Sequence, residues 1–154
     1  MLNGKIRLLM SFKKNKQLIL QFYEEVWGEG DLEFAKEVFS EDYVRHDLRQ
    51  RYPVAGPAGQ MQIAENFRSA FPDVQIQIDL VFGDDEYIAA RWTMTGTHTG
   101  QWNDIPPTNK KVSFSGVNLF RFENGKVAEI WNHRDDLGLI QQLGVELNAG
   151  QINK

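Results

Sequence analysis

The chain has 154 residues, of which 42% are apolar and 25% charged, with a formal net charge of -4. That length suits one domain able to bury a core without covalent staples, and the apolar share is too high for a disordered chain. With no cysteine, a disulfide scaffold, a thiol nucleophile and a cysteine zinc site are excluded, and the acidic balance argues against nucleic acid as the main partner.

The N-terminal run Leu8, Leu9 and Met10 is closed by Lys13 and Lys14, too soon for an export signal. No segment approaches the roughly 18 apolar residues of a membrane span. These readings point to a cytoplasmic protein with a lead-in over 1–14, one domain over 15–145 and a loose tail over 146–154.

Asn15 is placed to cap a helix over 16–27, whose stripe is Leu18, Ile19, Phe22, Tyr23 and Val26. Gly28 and Gly30 stop it, and Asp31 starts a short second helix with Val38 and Phe39 inward. Residues 42–46 are extended, and a polar, turn-rich stretch follows to Gly56. Pro57 opens a third helix that ends before Pro72. Beyond Pro72 the period changes to two: strands are predicted over 74–82, 86–97, 111–122 and 126–134. Asn124-Gly125 is a hairpin signal, because both central residues of a type I′ turn need positive φ. Leu137, Ile140 and Leu143 suggest a closing helix. Helices first and an antiparallel meander second mean an α+β fold: a curved sheet closed by helices into a cone.

Each of the three histidines falls at the edge of an element. His46 ends the short extended piece beside Asp47, His98 ends the second long strand, and His133 closes the last strand two residues before Asp135. Alternation along a regular strand puts Trp131, His133 and Asp135 on one face. No ligand-type spacing such as HxH or HxxxH joins these residues, so no metal is expected. Asn118 shares parity with Phe114, Phe120 and Phe122, so its amide needs a buried partner or a polar pocket. Arg91 shares parity with Thr93, Thr95 and Thr97. Trp92 and Trp131 are candidate cavity walls.

Four segments together resemble the SnoaL-like polyketide (ester) cyclases of the nuclear transport factor 2-like superfamily: Gly96-Thr97-His98; Ile105-Pro106-Pro107-Thr108; Gly116 to Phe122; and Trp131 through Asp135 to Gln142-Leu143-Gly144. The resemblance covers about residues 15–145. It implies a cone with a deep apolar cavity and ring closure by intramolecular aldol condensation, without a cofactor. It implies Asp135, four residues after Trp131, as the acid–base, and Asn118 where characterised cyclases carry an assisting histidine. The expected catalytic set is therefore Asp135, His133 and His98. Substrate contacts are expected from His46, Asn118, Trp131, Trp92 and Arg91. The expected ligand is a small hydrophobic or carbonyl compound. The half-apolar outer sheet face suggests a homodimer or larger homo-oligomer. A non-catalytic binding protein using the same cavity is the alternative.

Overall fold

The computed structural model describes residues 2–47 and 55–146. The tail beyond Glu146 and most of the stretch between His46 and Gly56 lie outside the described residues. The first helix, α1 (Leu2–Phe22), begins well before the expected residue 16, so residues 2–14 belong to it. Asn15 is not its cap. It is buried inside the helix, and its amide donates to the Asp85 carbonyl at 2.9 Å, a long-range partner that local capping rules do not see. The helix widens into a π-helical segment, Tyr23–Glu29, and Gly30 ends it in the left-handed conformation. Arg68 donates to the Trp27 and Gly28 carbonyls, which the end of the helix leaves without partners.

A 3₁₀ turn, Leu32–Phe34, leads into the short α2 (Ala35–Val38). The strand β1 (Phe39–His46) starts earlier than the sequence suggests and takes Phe39 from the helix. Then come α3 (Gly56–Ala70), β2 (Gln75–Gly83), β3 (Tyr87–Thr97), β4 (Lys111–Glu123), β5 (Lys126–Arg134) and α4 (Asp136–Leu143). The sheet order is β1-β5-β4-β3-β2. The meander from β2 to β5 is antiparallel, whereas β1 lies parallel to β5 and adds a fifth strand. Asn124 and Gly125 both have positive φ, +52° and +79°, as the hairpin requires.

The helices cover one face of the curved, unclosed sheet, giving an α+β cone. Two aromatic groups pack inside it. Phe22, Phe39, Tyr43 and Phe120 pack edge-on or tilted at one end. Phe67, Phe71, Trp102 and Phe114 pack at the other. Such pairs add about 0.5–1.5 kcal/mol each beyond the burial of their area. At the C-terminal end, Gln142 of α4 accepts from the Ser113 backbone N–H at 2.8 Å and donates to its carbonyl at 2.9 Å, which fastens the helix to β4.

Parity decides which side chains face the helices. On β3 these are Ile88, Ala90, Trp92 and Met94; on β4, Phe114, Gly116, Asn118 and Phe120; on β5, Ile130, Asn132 and Arg134. Gly116 leaves room for the Trp92 ring: a Cβ there would lie 2.4 Å from that ring and 2.6 Å from the His133 carbonyl. Gly116→Val should cost about 1–3 kcal/mol of stability, seen as a lower urea midpoint by circular dichroism. An unchanged midpoint would mean that the ring does not rest against this position.

Candidate functional site

The space inside the cone has two connected parts. An outer cleft of about 710 Å³ lies between α3, the Trp102 loop and the ends of β1 and β5. Its walls include Ile63, Phe67, Trp102 and Asp47. Behind it is a narrower chamber of about 30 Å³, lined by Tyr23, Trp27, Gln60, Trp92, Asn118 and Asn132 among others, which shares Tyr23 and Ile76 with a further space of about 620 Å³ beside β2. Arg45, Ile63 and Arg134 line both and form the neck between them. A chamber of that size holds about one water or one functional-group head.

The chamber floor is a directed hydrogen-bond run. Asn132 donates its amide to the Asn118 carbonyl oxygen, and Asn118 donates to the Tyr23 hydroxyl oxygen at 2.8 Å. Burial pushes the Tyr23 hydroxyl well above the ordinary tyrosine range; the Asn118 bond and the Arg45 charge offset only part of this. The phenol therefore keeps its proton. Gln60 accepts from Tyr43 at 3.3 Å and from Arg45 at 3.4 Å, both on its carbonyl oxygen.

Each neck arginine has a carboxylate partner. Arg45 pairs with Asp47 at 3.2 Å, and Arg134 with Asp136 at 2.5 Å. The Arg134 guanidinium also lies 5.3–5.9 Å from the ring centroids of Phe67, Trp102 and Phe114, so cation–π attraction helps to hold a charge in this partly buried place.

Of the residues expected from the sequence, Asn118 and Trp92 line the chamber and the others lie elsewhere. Trp131 and His133 do share a face, but it is the outer one. Trp131 is stacked on His46, with centroids 4.9 Å apart and planes at 13°. His46 Nε2 donates a 2.7 Å hydrogen bond to the Glu129 carboxylate, which Arg121 also holds at 2.8 Å. Asp135 does not continue the strand. It is exposed, at the N-cap of α4, where its carboxylate accepts the Gly138 N–H at 2.8 Å. A Cβ at Gly138 would sit 2.2 Å from that carboxylate, so the glycine makes room for the cap. Arg91 is on the outer face, paired with Asp79. The expectation that Asp135 shares a cavity with two histidines is therefore corrected. Strand parity turns His133 away from the interior, and helix capping takes the Asp135 carboxylate.

His98 is fully buried, but among the described residues it lines neither the cleft nor the chamber. Its Nδ1 accepts the Thr108 N–H at 3.3 Å, and its ring stacks on Phe71 at 5.0 Å. Among the described residues, no cluster of three or more His, Asp and Glu side chains is spaced to hold a metal ion, and no helix is long and apolar enough to cross a membrane.

Sequence reasoning missed Tyr23, Arg45, Asp47, Gln60, Asn132 and Arg134. The parity argument that singles out Asn118 would have found Asn132 and Arg134, which alternate with Ile130 on β5, and Arg45, which alternates with Tyr43 on β1. Tyr23 reads as an ordinary member of an apolar helix stripe, and nothing local marks its hydroxyl.

Burial lowers the His98 pKa below the ordinary histidine value. As pH falls below about 6.5, the unfolded chain therefore takes up a proton that the folded one resists, and stability is lost. Thermal unfolding between pH 7.5 and 5.5 should show a falling midpoint, with a flatter slope in His98→Gln; equal slopes in the two proteins would contradict the assignment.

The comparisons agree with the fold. The sequence profile of the SnoaL-like polyketide cyclases matches residues 17–143. TsrD from Streptomyces laurentii superposes with a TM-score of 0.79 at 23% identity, over 86% of this chain and 96% of that one. A candidate polyketide cyclase from Acidithiobacillus ferrooxidans superposes at 0.76 with 30% identity, over 85% and 94%. AclR from Streptomyces galilaeus, a candidate hydroxylase, superposes at 0.75 with 29% identity, over 86% and 96%. No curated protein matches the chain. With a profile match over most of its length and the cone in place, the chain belongs to the SnoaL-like polyketide cyclase family.

Proposed function

We propose that the protein is a cofactor-free enzyme that moves a proton beside a carbonyl group of a small molecule and so closes or isomerises its carbon skeleton. The observation that carries this reading is the two-part cavity: a roomy cleft with one carboxylate, Asp47, in front of a chamber rich in hydrogen-bond donors. Asp47 is the acidic residue among those lining the cleft. A methylene flanked by two carbonyls is acidic enough for a carboxylate to take its proton, and charge then builds on a carbonyl oxygen. Donors fixed in advance around that oxygen stabilise it without reorganising. The aromatic walls at Phe67 and Trp102 suit a planar or folded carbon chain, and holding such a chain near its closed shape supplies further acceleration. The family match and the neighbours described as cyclases support the same chemistry.

The second reading is a binding protein that uses the same cavity without turnover. It is favoured by the chamber itself, whose lining among the described residues contains no Asp, Glu or His. The outer sheet face, where Val44 and Val117 are exposed, is proposed to pair two copies of the chain. A single-chain mass in sedimentation at micromolar concentration would refute that pairing.

Turnover of a panel of 1,3-diketones and longer β-polyketones separates the readings. Asp47→Asn should lower kcat by about 10²–10⁴-fold, the range for a positioned acid–base group. Asp135→Asn should leave kcat within about twofold, because an asparagine still caps a helix. Loss of turnover in Asp135→Asn with full activity in Asp47→Asn would reverse the assignment. Tight binding with no turnover by the wild type would leave the binding reading.

A further inference from the structure

The polar groups around the small chamber lean toward donors. Tyr23 uses its oxygen to accept from Asn118, so its O–H is left to donate. Trp92 Nε1 and Arg45 Nε are buried without a hydrogen-bond partner, and both side chains line the chamber. Gln60 has its carbonyl oxygen engaged by Tyr43 and Arg45, which leaves its NH₂ group as the donating end. The acceptor oxygens of Asn118 and Gln60 each already take at least one hydrogen bond. Buried donors without partners are costly, roughly 1–3 kcal/mol each, and structures seldom gather several around one small space without a use.

We propose that the chamber is a site for a single acceptor oxygen, and that it selects ligands whose buried head is a carbonyl, enolate or phenolate oxygen over those whose head is a hydroxyl or amine donor. Donors in this arrangement bind an oxygen that carries negative charge better than the same oxygen bearing a proton. The run from Asn132 through Asn118 to Tyr23 sets the direction. Each amide faces its neighbour with the group that turns the next donor onward, and the last donor is the Tyr23 O–H. Asn118 is then a positioning residue, and Tyr23, Trp92 and Arg45 are the contacts. The chamber admits the oxygen and little more, so the body of the ligand lies in the neck and the outer cleft. This inference deepens the reading above and rests on the same cavity, but it needs no turnover.

The test uses 4-nitrophenol, whose phenolate absorbs at longer wavelength than the phenol, with 4-nitroaniline as a comparison of the same shape that presents N–H donors. The bound nitrophenol should ionise at lower pH than it does free in buffer, and 4-nitroaniline should bind at least about tenfold more weakly. Tyr23→Phe should raise the ionisation midpoint of the bound probe toward the free value and weaken phenolate binding roughly tenfold, the loss of one hydrogen bond to a charged acceptor. Trp92→Phe should act in the same direction, and it decides the matter if Tyr23→Phe does not keep the wild-type circular dichroism. Bound nitrophenol that stays protonated at the pH where the free probe is half ionised, or an ionisation midpoint unmoved by both substitutions, would overturn the inference. Failed diketone turnover together with a shifted probe would remove the enzyme reading and leave this site standing; turnover dependent on Asp47 with an unshifted probe would do the opposite.

Discussion

The hydrogen bonds from Asn132 to Asn118 and from Asn118 to Tyr23 join the middle of the sheet to the end of the first helix. Two amides and a phenol are buried among aromatic rings there, and each needs its partner. That requirement fixes where α1 ends against the sheet. It also fixes the π-helical segment that begins at Tyr23, and with it the inner end of the cavity. The cone is therefore not filled by its aromatic residues. They pack on either side of a polar floor, with Phe22, Phe39 and Phe120 at one end and Phe67, Phe71 and Trp102 at the other.

The neck follows from the same architecture. Arg45 reaches inward because β1 runs parallel beside β5, with His46 opposite Trp131 and Arg45 opposite Ile130. Arg134 reaches inward because it keeps parity with Asn132 to the last position of β5. A carboxylate beside each guanidinium offsets the cost of holding that charge at the boundary between water and core. The result is a passage with permanent positive groups at its waist, an aromatic wall outside and hydrogen-bond donors within.

Much of the fold is legible in the chain. The change of period at Pro72, the Asn124-Gly125 turn and the closing helix each have a local cause, and the structure keeps them, although of the expected stripe Leu143 is buried while Leu137 is exposed and Leu139 is buried instead. The long first helix and the parallel edge strand are not legible, because Asn15 is held by the distant Asp85 carbonyl and β1 by pairing with β5. The site divides in the same way. Asn118 stands out because an amide among phenylalanines breaks a pattern. His133 and Asp135 mislead because one residue of strand decides a face, and Asp135 has already left the strand to cap α4. His98 is set apart for another reason: it is buried against Phe71 and Thr108, away from the cleft and the chamber.

In the proposed function the ligand enters the cone between α3 and the inner face of β3–β5, away from the strand-end histidines. Methyl NMR on selectively labelled protein tests it directly. Ile63, Ile76 and Met94 line the cavity, whereas Leu80 and Val117 are exposed away from it. Titration with a 1,3-diketone should move the methyl signals of Ile63, Ile76 and Met94 and leave those of Leu80 and Val117 in place. Shifts confined to Val117 and its neighbours around His133 would place the ligand on the outer face and contradict the account.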